Sequence, residues 1–315
     1  MTVPLLHLPP LMVSPQGVNE REDVNKMLAY FPKGVRAQVE TDMHRIEEIK
    51  IRFGRKLWVL IDGRYVPYDY VIDLNDLAFL ISKLGTFRDD NRRGIDGTGH
   101  RVTRVMAADG TLEGSPVGFT FRLGRYFDGL AEPLRPFIHE NPSMLIVGEA
   151  GSGKTTLLRG TAKMAAEYFP MQAVIVDTSG DVAGDGKVPH IGIGDVDVMP
   201  VQSKAQQAQL IEEAVKNQNV RVLIVDEINR EAEAEMIAGG MKNGARLMGT
   251  THGRDIRKVL SNKNLAPLFQ PEPVFYWFAV IVARGEIMMY RAEEAAQAVL
   301  AGNVPEGQLV QLGRR

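Results

Sequence analysis

The spacing of apolar and polar positions changes several times along the chain, and each change marks a different kind of element. Between Val18 and Met43 apolar residues recur at mixed three- and four-residue spacing with acidic residues early, which predicts one or two short helices. From Ile46 the period drops to two. The segment "IEEIKIRFGRKLWVLIDGRYVPYDYVI" alternates around Ile49, Ile51 and Phe53 and breaks at Asp62-Gly63, the pattern of antiparallel strands joined by a hairpin. A helix is predicted at "LNDLAFLISKLG". Alternation resumes in "GHRVTRVMAADGTL" and "VGFTFRLGRYF", with Asp109-Gly110 as a second turn signal. These elements predict a small α+β domain over residues 18–128, preceded by an N-terminal arm at 1–17 and followed by a hinge near Asp128-Gly129.

Past Ser143 the order becomes strand, helix, strand, helix, through "MLIVG", "KTTLLRGTAKMAAEY", "QAVIVD", "KAQQAQLIEEAVKNQ", "VRVLIVDE", "EAEAEMIAGGMKNG" and "RLMGTTH". Short apolar runs that end in polar or glycine residues, separated by helices, predict a parallel sheet covered on both faces. The expected fold class is therefore α/β, a core over 129–290 with the smaller α+β domain before it. Residues 291–315 read as a C-terminal helix and polar tail. Ligands of such sheets bind at the carboxyl ends of the strands.

A chain of 315 residues exceeds the usual size of one domain, in line with this division. Acidic and basic residues nearly cancel, 39 against 37, so any binding of nucleic acid or an anionic membrane has to come from a local patch. The absence of cysteine excludes disulfides, thiolate zinc sites and cysteine nucleophiles, and fits a reducing compartment such as the cytoplasm. The apolar stretches are too short to span a bilayer, and the Pro-rich opening lacks the basic start and unbroken apolar core of a signal peptide.

Gly148, Glu149, Ala150, Gly151, Ser152, Gly153, Lys154 and Thr155 match the whole pattern G-x-x-x-x-G-K-[ST], directly after a predicted strand and before a helix that continues with Thr156. Glycines let backbone N–H groups curl around phosphates, Lys154 reaches the terminal phosphates, and Thr155 can ligate magnesium. Some 70 residues on, "VRVLIVDE" delivers Asp226 and Glu227 to the end of a strand. That is the arrangement of a Walker B strand: Asp226 on the magnesium through water, Glu227 polarising the attacking water. Asp177, Thr178, Ser179 and Asp181 follow a third strand and Thr250, Thr251 and His252 end a fourth, at the same sheet edge. His252 reads either as a sensor of the γ-phosphate or as a capping residue, and Asp181 either as a water-positioning group or as an ordinary turn residue. No Asn-Lys-x-Asp guanine-reading motif follows the acid pair, which favours ATP over GTP.

The segments "GEAGSGKTTLLR", "DTSGDVAGDGKVPHIGIG", "VLIVDEI" and "GTTHG", with "IEEIKIRFGRKL" and "GHRVTRV" further forward, resemble the P-loop ATPase family of stage III sporulation protein AA and its plastid and cyanobacterial relatives. The resemblance covers roughly residues 45–270. It implies a RecA-like core of the additional-strand, catalytic-glutamate kind, related to the motors of type II and type IV secretion, which act as hexameric rings. It places Lys154, Thr155, Asp226, Glu227 and His252 at the family's matching positions. Asp181 stands where the relatives usually have Glu, and Thr103 where the sporulation branch usually has Gly. Plastid-type relatives often continue into a small C-terminal domain that binds single-stranded nucleic acid, which this chain is expected to lack.

Ring motors complete their site with a neighbour's arginine, and Arg101, Arg104, Arg122, Arg125, Arg230 and Arg246 are candidates. The leading expectation is a homohexameric, magnesium-dependent ATPase motor that couples hydrolysis to mechanical work, the substrate moved being either a protein or nucleic acid. The rival is a nucleic-acid motor (helicase or translocase) or an ATP-dependent single-strand-binding protein, suggested by the grouping of Arg92, Arg93, His100, Arg101 and Arg104 among glycines.

Overall fold

The computed structural model describes residues 20–107, 115–178, 180–201, 204–241 and 244–313. The expected N-terminal arm, the Asp109-Gly110 turn and Ser179 lie outside the described residues. The described residues divide into two compact units, one made of 20–126 with 184–191 and the other of 127–183 with 192–313.

The smaller unit begins with α1 (Glu20–Leu28) and α2 (Lys33–Val39), then β1 (Ile46–Arg52), β2 (Lys56–Ile61), β3 (Arg64–Val71), α3 (Leu74–Leu84), β4 (Arg92–Gly94), β5 (Arg101–Met106) and β6 (Pro116–Arg122). The strands form one antiparallel sheet in the order β3-β2-β1-β6-β5-β4. The period-two pattern becomes physical here. Ile49, Ile51, Leu57, Val59, Val102, Phe119 and Phe121 share one face and are fully buried with Met27, Val35, Val39, Leu80 and Leu84 of the helices. Asp62 (φ 49°) and Gly63 (φ 75°) both take positive φ in the β2–β3 turn, as a type I′ hairpin requires. Phe53 departs from the expected alternation: β1 ends at Arg52, and Phe53 lies in the following turn, 47% exposed.

Residues 184–191 pack with this unit. Arg88 Nη1 pairs with Asp185 Oδ1 at 2.5 Å, Asp96 accepts the Lys187 N–H at 2.6 Å, and His190 Nε2 lies 2.5 Å from Asp23 Oδ2 with its ring stacked on Tyr126. A Cβ on Gly94 would come within 2.0 Å of the Asp185 backbone, so the segment requires glycine there. The simple division at residue 128 misses this excursion, because the polar, glycine-rich segment carries no periodic signal.

The larger unit contains α4 (Arg135–Glu140), β7 (Met144–Gly148), α5 (Lys154–Tyr168), β8 (Ala173–Asp177), β9 (Asp197–Pro200), α6 (Gln207–Asn217), β10 (Val222–Val225), α7 (Glu231–Met241), β11 (Arg246–His252), α8 (Ile256–Leu260), β12 (Trp277–Ala283), β13 (Glu286–Arg291), α9 (Ala292–Leu300) and β14 (Gln308–Gln311). Its eight-stranded sheet runs β14-β13-β12-β7-β11-β10-β8-β9. The strands from β12 to β9 are parallel, while β13 and β14 close one edge antiparallel. Every residue of β7, β8 and β10 is buried, which explains their unbroken apolar runs. Within the segment predicted as a polar tail, Gln308–Gln311 form an edge strand. One strand, β11, lies between β7 and β10, and so between the glycine loop and the acid pair.

Candidate active site

The carboxyl ends of β7, β8, β10 and β11 meet at one edge of the sheet. After β7 the chain turns through Glu149 to Gly153 and enters α5 at Lys154. Gly151 and Gly153 sit at φ 74° and 100°, conformations that residues with a Cβ rarely adopt. Gly148 has a different reason: a Cβ there would come within 2.4 Å of Ser152 Oγ. The loop is thus held tight, and Ser152 Oγ is buried without a protein partner. Glu149, Ala150 and Gly151 are exposed at the rim, and Thr156 is half-buried on the first turn of α5.

Lys154 Nζ donates to the carbonyls of Gly148 (2.9 Å) and Glu149 (2.8 Å). Two of its three hydrogens are used, and the third remains for a ligand. Burial lowers the Lys154 pKa, and the charges of Asp226 and Glu227 oppose that shift.

Asp226 is gripped from both sides. Thr155 Oγ1 donates to its Oδ2 at 3.0 Å, and Thr250 Oγ1 donates to its Oδ1. The Asp226 carbonyl accepts from Gln207 Nε2 at 3.4 Å, and Gln207 in turn accepts from Thr178 Oγ1 at 2.7 Å. The next residue, Glu227, has φ 58°, an uncommon conformation for a side chain of its size. Its N–H donates to Thr250 Oγ1 (2.8 Å) and the Ile228 N–H to the Thr250 carbonyl (2.8 Å), which fixes the turn and leaves the Glu227 side chain exposed at the site.

Parallel pairing sets His252 opposite Gly148, and the Gly253 N–H reaches the Gly148 carbonyl at 3.3 Å. His252 therefore lies exposed beside the start of the glycine loop. Asp181 is placed less directly: its carbonyl accepts from Arg159 Nε of α5 at 2.8 Å, and its charge acts on Asp177. Asp177 is 3% exposed and accepts from the N–H groups of Gly180, Val182 and Ala183. Burial, with the charges of Asp226 and Asp181, pushes its pKa up to about 6 against the pull of those N–H donors.

The structure brings Gly148 to Thr156, Asp226, Glu227 and His252 to one place, with Asp181 at its margin. Sequence reasoning notes Thr250 only as a polar strand end and passes over Gln207. A lone Thr or Gln has no spacing signal, and their role follows from the β10–β11 register and the seat of α6 against β8. Among the described residues no group of three His, Asp or Glu side chains gathers to hold a metal, so an ion at Thr155 and Asp226 would be completed by water and phosphate.

The arginine candidates are constrained. Arg125 donates to the carbonyls of Met43 and Ile46, Arg122 pairs with Glu48, and Arg104 donates to Asn91 over the Phe87 ring. Arg246 is at the start of β11, at the opposite end of that strand from His252. His100, expected among phosphate-gripping residues, is 2% exposed and faces the Asp23 carbonyl, so it is removed from that set.

Residues 144–250 match the ATPase family associated with various cellular activities (AAA). The chain is 34% identical over 255 residues to Protein SEEDLING PLASTID DEVELOPMENT 1 of Arabidopsis thaliana, covering 80% of this chain and 37% of that protein. It is 34% identical over 251 residues to the ycf45 protein of Porphyra purpurea, covering 78% of this chain and 44% of that one. Stage III sporulation protein AA of Bacillus subtilis is 28% identical over 261 residues, 76% of this chain and 84% of that protein. The chain thus spans less than half the length of the two plant and algal relatives. Among solved structures, the pilus retraction motor PilT with bound ADP superposes with a TM-score of 0.54 at 15% identity, covering 78% of this chain and 76% of PilT. The Legionella pneumophila ATPase DotB gives 0.51 at 13% identity, covering 94% and 87%. No helix among the described residues is long and apolar enough to cross a membrane. The larger unit has the RecA-like P-loop fold, and the chain belongs with the P-loop ATPases related to stage III sporulation protein AA, fitting their plastid and cyanobacterial branch.

Proposed function

We propose that this chain hydrolyses ATP with magnesium and works as a ring-forming, hexameric motor. The observation that carries the reading is Asp226 held between the hydroxyls of Thr155 and Thr250 at the mouth of the glycine loop, with Glu227 turned outward next to it. A triphosphate fits the loop: Gly151 and Gly153 take the positive φ that lets the backbone curl, Ser152 Oγ is a buried polar atom without a protein partner, and Lys154 keeps a donor in reserve.

Thr155 and Asp226 are the residues that would hold magnesium, one directly and one through water, and the ion would neutralise charge on the β- and γ-phosphates. Lys154 binds the same oxygens from the loop side. Glu227 accepts the proton of the attacking water. His252, beside Gly148, contacts the γ-phosphate or orients that water. Asp181 supports the site electrostatically through Asp177. The likeness to PilT, described as a pilus retraction motor, supports mechanical work as the output. The family resemblance supports the hexamer, with an arginine such as Arg230 supplied by a neighbouring subunit.

The test is steady-state ATP hydrolysis with sizing of the particle. Lys154→Ala should lower kcat/KM, and Glu227→Gln should lower kcat, each by about a hundredfold or more. The Glu227→Gln chain loaded with ATP should run as a hexamer, and chelation of magnesium should stop turnover. Wild-type turnover by Glu227→Gln would remove Glu227 as the base, and a monomer under every nucleotide condition would remove the ring.

A further inference from the structure

The helices of the smaller unit cover one face of its six-stranded sheet. The register defines the other face in two cross-strand rows. One runs Tyr65, Leu60, Glu48, Arg122, Arg101 from β3 to β5. The next runs Pro67, Trp58, Lys50, Thr120, Thr103. Two aromatic side chains therefore stand in adjacent rows on adjacent strands, and both are open to solvent, Trp58 at 40% and Tyr65 at 44%.

Cations surround them. Lys50, Arg52, Lys56, Arg101 and Arg122 lie on this face or its rim, against the carboxylates Glu48 and Asp69. Glu48 is an internal anchor: 5% exposed, it accepts from the Tyr65 hydroxyl at 2.6 Å and from Arg122 Nε at 2.8 Å, with Lys50 Nζ at 3.6 Å. It fixes the tilt of the Tyr65 ring and the aim of Arg122, whose side chain stays 62% exposed. Arg52 lies flat along β6, donating to the Phe119 carbonyl and to Thr120 Oγ1, a path open because Gly118 has no side chain.

We propose that this face binds single-stranded nucleic acid. Single strands are held by aromatic rings on which bases stack, set in a cationic surface that follows the phosphates, and a flat guanidinium adds a further stacking plane. A protein partner fits less well. Protein–protein interface cores are depleted of lysine and glutamate, and here Lys50 and Glu48 sit in the middle, with Lys50 4.2 Å from the centre of the Tyr65 ring. The net charge of the whole chain, −2, makes a cationic face a local feature and not part of a general field. The inference stands apart from the ATP reading, since none of these residues belongs to the nucleotide site.

Trp58 supplies the test. The chain has two tryptophans, and Trp277 is only 5% exposed, so quenching of the emission by an added strand reports on Trp58. Oligo-dT and oligo-rU, added to the full chain without nucleotide, should each quench the emission, and the stronger binder tells DNA from RNA. Trp58→Ala should weaken binding about tenfold, whereas Trp58→Phe should hold affinity within a few-fold while losing the signal. The logarithm of affinity should fall with the logarithm of salt at a slope of about −2, and Arg122→Gln should make that slope shallower by about 0.7. Lys154→Ala should bind the strand as the wild type does, which separates this result from a failure of the ATPase assignment. Binding unchanged in Trp58→Ala, or equal displacement by polyphosphate, which has phosphates and no bases, would overturn the proposal. So would absence of binding at low salt together with a change of oligomeric state in Trp58→Ala, which would give the face to a second copy of the chain.

Discussion

Asp177 and Asp226 end two neighbouring parallel strands, yet their surroundings give them different chemistry. Asp226 is half-buried between two hydroxyls, while Asp177 is buried among backbone N–H groups with its pKa raised to about 6. The sign of the linkage follows. A carboxyl whose folded pKa lies above its unfolded value of 3.8 contributes stability that is fully present below about pH 4 and lost as pH rises through about 6, on the order of 3 kcal/mol in all. Asp177→Asn should therefore flatten the fall in stability between about pH 4 and 6, measured by denaturant unfolding at several pH values; an unchanged slope would mean that Asp177 is ionised in the fold. Thr250 makes a second test. Thr250→Val deletes the hydroxyl that both grips Asp226 and pins the Glu227 turn, so kcat should fall about tenfold to a hundredfold while ATP binding survives, and Thr250→Ser should restore most of the rate. The loop from Gly148 to Thr155 is legible in sequence because its glycines, lysine and threonine occupy fixed offsets that a phosphate imposes. Thr250 and Gln207 are not, since their task depends on which strand lies beside which.

Elements were legible where a local rule acts on its own. The helix at residues 74–84 is bounded by such a rule: Asp73 accepts the Asp76 N–H at 2.9 Å, the Asp76 side chain accepts the Asp73 N–H at 3.2 Å, and Gly85 ends the helix at φ 61°. Asp73→Ala should cost about 1 kcal/mol of stability by thermal unfolding, with ATP turnover unchanged. Strands β7, β8 and β10 were legible as apolar runs, because burial on both faces leaves no polar position. Strands β9 and β14 were not. Both are short edge strands, half-buried or exposed except for Val310, and their residues are paired by the sheet without carrying a pattern of their own.

At the scale of the whole molecule the chain divides into two units, but not by a single cut. The segment 184–191 leaves the larger unit after Ala183 and packs with the smaller one, and Gly94 is where the fit is tightest. Gly94→Val should expel this segment and free the backbone around the exposed Lys187 for trypsin, so limited proteolysis should yield a cut there that the wild type resists; equal resistance would show that the segment is held elsewhere. Its sequence, "GDGKVPHI", looks like any polar loop, and contacts such as the Arg88–Asp185 ion pair and the His190–Asp23 hydrogen bond reveal where it belongs. The central claim is that Lys154, Asp226 and Glu227 act as one hydrolytic site. Measuring ATP binding and ATP turnover side by side on the wild type and on Glu227→Gln tests it most directly. The account predicts that Glu227→Gln binds ATP at least as tightly as the wild type while turnover falls by about a hundredfold or more; turnover that persists at the wild-type rate would contradict it.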